Sequence, residues 1–226
     1  MQLPDYWLPR PAEEPAPDVR AAFDDIWRRA LGRGESPIVD DVLPSPKWQL
    51  LNHLADECGL VLHGSGNPNI DVFEPRQPED LREFGNQKAV YAAGDGIWAM
   101  FFAVANRRRI RSVMNACARL VDAAGQVSAP RYVFSISRSA RSDEAWRPGT
   151  VYVLPGETFK LQPPLPFGDY EVRIPQLASL VPVRPLARVM VEPTDFPFLP
   201  EVRAHDDDRL EEYTRALETA APWPAE

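Results

Sequence analysis

The stretch that decides the fold begins Leu60-Val61-Leu62-His63-Gly64-Ser65. It resumes with Ala89-Val90-Tyr91-Ala92-Ala93, passes through Gly94-Asp95-Gly96, and enters Ile97-Trp98-Ala99-Met100-Phe101-Phe102-Ala103-Val104-Ala105. The first two runs are short and apolar, and each is closed by turn-forming residues, the pattern of buried strands. The third is apolar almost throughout and predicts a helix over 97–105.

Working outward, the N-terminal side reads as helical. Val19, Phe23, Ile26, Trp27 and Leu31 fall at helical spacing, and Gly32 is placed to end that helix. After a linker over 33–43, Ser45 followed by Pro46 predicts an N-cap with proline at the first helical position. That second helix runs through Trp48, Leu51, Leu54 and Ala55 to Gly59. Residues 1–17 are rich in proline and acids and are expected to form an irregular arm. Beyond Gly59 the period changes, with strands predicted over 60–63, 88–92, 131–136, 151–154, 170–174 and 187–191. A further helix is predicted over 111–123, and an amphipathic one over 206–221 with Leu210, Tyr213 and Leu217 on one side. The expectation is an α+β protein with a mostly antiparallel core over 59–226, preceded over 1–58 by an arm and two helices.

Composition narrows the function. A formal net charge of −8 argues against broad electrostatic capture of nucleic acid or anionic membrane. No run reaches the roughly 18–20 apolar residues that span a bilayer, and no signal peptide is visible, so a cytoplasmic location is expected. The 2 cysteines, Cys58 and Cys117, read as buried free thiols. With only 3 histidines and no ligand spacing, no metal site is expected.

A strand ending in His63-Gly64-Ser65, a second ending in Tyr91-Ala92, and a helix directly after it resemble the nicotinamide-dinucleotide pocket of ADP-ribosyltransferases. The branch it looks most like is the His-Tyr-Glu one, which includes the diphtheria-toxin-like and poly-ADP-ribose-polymerase-like catalytic domains. The resemblance covers residues 60–199. It implies the corresponding fold, a split antiparallel sheet with short helices, and NAD+ as a substrate. It implies transfer of a single ADP-ribose unit to a macromolecular acceptor, protein or nucleic acid, as free-standing toxins and effectors of this class do.

By the same resemblance, His63 would hydrogen-bond a ribose hydroxyl. Gly64 would offer its backbone to the carboxamide, which only a residue without a side chain lets approach closely, with Ser65 beside them. Tyr91 and an aromatic of the following helix, Phe101 or its neighbour Phe102, would clamp the nicotinamide, at about 0.5–2 kcal/mol per face; Phe101 is the choice. His63 and Tyr91 are therefore expected to face one cleft. The polymerase-like families also place a serine on this helix, where the register here gives Trp98 or Ala99.

The catalytic acid is expected on a late strand, in Asp169-Tyr170-Glu171-Val172-Arg173-Ile174-Pro175-Gln176. Glu171 is the choice, with Asp169 and Gln176 as rivals. Alternation along that strand equally describes a solvent-facing row of Asp169, Glu171 and Arg173. Arg107-Arg108-Arg109 with Arg111 is the most basic cluster. It complements a helix C-terminus, or grips phosphates. The alternatives to a transferase are an NAD+ glycohydrolase on the same fold and a catalytically inactive module that binds a nucleotide or protein.

Overall fold

The computed structural model describes residues 3–12, 14–39, 41–77 and 84–225. At its centre lies α3 (Gly96–Val104), of which only Phe102 is not fully buried. A helix that is apolar on every side has no face to give to water and must be covered all round. Two sheets and two further helices cover it.

The first sheet runs in spatial order β11 (Ala187–Val191), β6 (Gly149–Pro155), β2 (Leu60–Ser65), β3 (Val90–Ala93), β10 (Gln176–Ser179) and β7 (Lys160–Leu161). The second runs β1 (Leu8–Pro9), β5 (Arg131–Ser137), β4 (Val113–Val121), β9 (Tyr170–Arg173) and β8 (Leu165–Phe167). Among these strands every pairing is antiparallel, and β12 (Arg203–His205) adds a parallel partner to β5. With α1 (Pro17–Leu31), α2 (Lys47–Glu57) and α4 (Leu210–Thr219), the architecture is α+β.

Alternation along the strands divides the apolar residues. Leu62, Val151 and Val153 meet α3 together with Tyr132, Phe134 and Ile136 of the second sheet, and Phe23 of α1 and Leu51 and Leu54 of α2 join the same core. Val61, Val90, Ala92, Tyr152 and Leu154 build a smaller cluster with Phe73 on the other face of the first sheet.

Two glycines set how closely α3 approaches that sheet. A Cβ at Gly64 would stand 1.9 Å from the Ala99 carbonyl oxygen, and one at Gly149 would stand 2.0 Å from that of Ala103. Both obstacles are backbone, so the helix lies directly on the glycines of β2 and β6. Asp95 fixes the other end. Its buried carboxylate caps α3 by accepting the Trp98 N–H at 2.9 Å, the Arg10 guanidinium at 2.5 Å and the Tyr132 hydroxyl at 2.7 Å.

Several expectations are corrected. The segment expected as a helix over 111–123 contains β4, which pairs with β5 from Val113 to Ala118 and with β9 from Arg119 to Val121. Its Ala, Met and Leu favour helix locally, and long-range pairing overrides that preference. The N-terminal arm is docked: Tyr6 is buried, its hydroxyl 2.9 Å from the Ala216 carbonyl, and β1 pairs with β5. Ser45 does not cap α2, where Pro46 stands at the cap with no side-chain hydrogen bond. Cys117 is buried, but Cys58 is exposed. Among the described residues no helix is long and apolar enough to cross a membrane.

Candidate functional site

The first sheet splits where His63 stands. Strands β2 and β3 pair at Leu62 and Ala93, and the Tyr91 carbonyl beyond that point lies 2.7 Å from His63 Nδ1. A carbonyl only accepts, so Nδ1 donates its proton there and Nε2 is the acceptor of the ring. Nε2 has no hydrogen-bond partner among the described residues. Burial pushes the His63 pKa below its ordinary value; the Tyr91 carbonyl opposes this and Arg76 reinforces it, so the ring is neutral at pH 7.

His63 and Tyr91 are thus joined, but their rings do not share one cleft. The imidazole packs 4.6 Å from the Phe73 ring, on the face of the smaller cluster. Val90 and Ala92 belong to that face, so alternation sends Tyr91 to the opposite one, where α3 lies. The Tyr91 hydroxyl sits 2.9 Å from the carbonyls of both Phe84 and Gln87.

The cleft itself, of about 790 Å3, opens at the far end of β2, beside the C-terminal turn of α3. Gly64 and Ser65 line it together with Phe102, Arg107, Arg108 and Arg147. The Ser65 hydroxyl accepts the Asn67 N–H at 3.1 Å and turns the chain into the cleft wall. Phe101, expected as the clamp, is fully buried against Phe134, 4.8 Å between ring centres, and Phe102 is the aromatic that reaches the cleft. Neither candidate for the serine position supplies a hydroxyl. Ala99 lies under Gly64, and the Trp98 indole donates to Asn115 at 2.6 Å.

Glu171 is not brought to this region. It is exposed on β9 of the second sheet, opposite Val121 and Pro166, and Asp169 is exposed in the adjoining turn. Gln176 is the rival on the strand paired with β3, where Ala178 and not Gln176 stands opposite Tyr91. It opens β10, directly opposite Ala93 of β3, and is half-buried.

Sequence reasoning missed Arg147, which has no motif around it. The bridge between Ala105 and Trp146, and the Arg147 N–H bonded to the Val104 carbonyl at 3.0 Å, hold it against the end of α3. Two polar clusters elsewhere were also missed. Asp24, His53 and Cys58 bring one ligand atom each within 4.8 Å of one another, with His53 Nε2 2.7 Å from Asp24. His205, fully buried, has Nδ1 2.8 Å from the Ser135 hydroxyl and Nε2 2.7 Å from that of Ser112, and Ser112 and Ser137 donate to Asp207. The Asp207 carboxylate accepts from the serines and lies 3.8 Å from His205 Nε2, the same ring nitrogen that meets Ser112, so this cluster pins β12 to its neighbours and lacks the order of a hydrolytic triad.

No family model matches the chain, and no curated protein or solved structure does either.

Proposed function

We propose that the protein binds NAD+ at the split between β2 and β3 and in the adjoining cleft, and transfers its ADP-ribose to a macromolecular acceptor on an ADP-ribosyltransferase-like fold. What supports this is the His63 imidazole bonded to the Tyr91 carbonyl where the two strands part, one residue from the glycine on which α3 rests; the two rings face opposite sides of the sheet, which weighs against the shared cleft that the resemblance implies. A neutral imidazole held through Nδ1 presents Nε2 as an acceptor for a ribose hydroxyl. Phe102 offers a ring face to the flat nicotinamide.

In the reaction the bond between nicotinamide and the ribose anomeric carbon breaks, neutral nicotinamide leaves, and an acceptor nucleophile attacks that carbon and loses a proton. Positive charge develops on the ribose, so groups that orient its hydroxyls act in the transition state. In this reading Gln176, opposite Ala93 on the strand paired with β3, is the candidate for the role expected of Glu171, which lies on the other sheet. Its amide carbonyl accepts a hydrogen bond from a ribose hydroxyl but carries no charge.

That same exchange favours a second reading, a module that binds the dinucleotide without cleaving it. NAD+ should raise the melting temperature by the linkage relation RT ln(1 + [L]/Kd) under both readings, and only the first releases nicotinamide. Absence of any shift at millimolar NAD+ refutes both.

A further inference from the structure

We infer that Arg147, together with Arg107 and Arg108, forms a diphosphate-binding subsite in the cleft. As the subsite for the diphosphate of NAD+ it rests on the function proposed above; as an anion site it stands on its own geometry. In a chain of net charge −8, three guanidinium groups line one cleft with no carboxylate among its lining residues. None of the three has an acidic partner among the described residues, whereas their neighbour Arg109 pairs with Glu144 at 3.4 Å.

Arg147 is the most telling of them. Its Nε is buried and makes no hydrogen bond. A buried cationic donor without a partner costs free energy that an incoming anion recovers. It also lies close to a neighbouring backbone. The guanidinium lies over Gly66 so closely that a Cβ there would stand 1.8 Å from Nη2. A planar fork suits the paired oxygens of a diphosphate better than a single point charge does. Phe102 in the same cleft gives the attached base or ring a surface to stack on. Partial burial holds the Arg107 pKa below its ordinary value.

The test is calorimetric titration of the intact protein with inorganic pyrophosphate, ADP and NAD+, repeated on Arg147→Gln, on the double variant Arg107→Gln/Arg108→Gln, and on Gly66→Ala. Loss of one charge-assisted pair should weaken pyrophosphate and ADP by about 10- to 100-fold. Gly66→Ala keeps every charge and displaces only the fork. It should therefore weaken ADP while leaving the melting temperature close to wild type, which a merely structural arginine would not do. Pyrophosphate that fails to bind the wild type at millimolar concentration, or binds the variants equally well, overturns the subsite. NAD+ that binds wild type and Arg147→Gln alike overturns the subsite and leaves the proposed function standing. Pyrophosphate that binds through Arg147 while NAD+ does not bind overturns the proposed function and leaves the subsite. A short single-stranded oligonucleotide that binds through these arginines where ADP does not would make the site one for a nucleic-acid backbone, against the inference.

Discussion

Replacing Gly64 by alanine should damage the centre of the molecule. The added Cβ would meet the Ala99 carbonyl oxygen at 1.9 Å and the Ala103 nitrogen at 2.7 Å, where ordinary contact begins near 3.4 Å. Both are helix backbone atoms, so no side chain can swing away. Relief requires α3 to lift from β2 by about 1.5 Å, opening its packing against Leu62 and Val151. Overpacking typically costs about 1–3 kcal/mol, and a backbone-on-backbone clash belongs at the top of that range or above it. For a chain of this size, about 3 kcal/mol lowers the melting temperature by about 6–12 °C. Scanning calorimetry measures this, with Gly94→Ala as the control, since its Cβ would meet only ordinary contacts at 3.5 Å. Gly149→Ala should behave like Gly64→Ala. The double variant should cost less than the sum, because one lift of the helix relieves both clashes. If Gly64→Ala melted with the control, the close seating of α3 would be refuted.

The two adjacent phenylalanines should separate stability from binding. Phe101→Ala should cost about 3–5 kcal/mol in urea unfolding, while Phe102→Ala should cost less and weaken NAD+ several-fold in titration. The pH dependence has a definite sign. Burial holds His63 and His205 below 6.5, so the unfolded chain binds more protons below that value. Their contribution to stability is complete above 6.5 and is lost as pH falls through the folded-state values. The urea midpoint should therefore fall on acidification from pH 7, and His205→Gln should flatten part of that slope. Asp95→Asn should destabilise by about 2–3 kcal/mol, because it removes the nearer carboxylate of the half-buried Arg10 guanidinium and leaves only Asp56 at 3.5 Å; thermal unfolding would show it.

How much of this was legible in the sequence differs from residue to residue. The unbroken apolar run after Gly96 declares a central helix, and the spacing of Val19, Phe23, Ile26 and Trp27 declares α1, because burial dictates both patterns; Leu31, at the end of α1, is exposed. The segment of β4 was misread because its small and unbranched side chains favour a helix, while its actual partners lie elsewhere in the chain. Glu171 was correctly placed on a strand. Which sheet that strand joins depends on pairing with Val121 and Pro166, and alternation carries no information about partners. Phe101 and Phe102 are equivalent on paper; which one escapes the core is settled only once both sheets close around α3. Gly94-Asp95-Gly96 did contain a readable signal, since an aspartate just ahead of an apolar run is an N-cap. Arg147 contained none, because its meaning comes from three separate pieces of chain meeting at one cleft.

The most direct test of the proposed function is nicotinamide release from NAD+ by the purified protein, with cell lysate as the source of acceptor. Catalysis predicts release by the wild type and a loss of about 10²–10³-fold in Gln176→Ala with little change in NAD+ affinity, the signature of a group acting on charge that forms only as the glycosidic bond breaks. Glu171→Gln, on the other sheet, should leave the rate unchanged. Absence of nicotinamide release by the wild type, or a rate that depends on Glu171 and not on Gln176, would contradict the account.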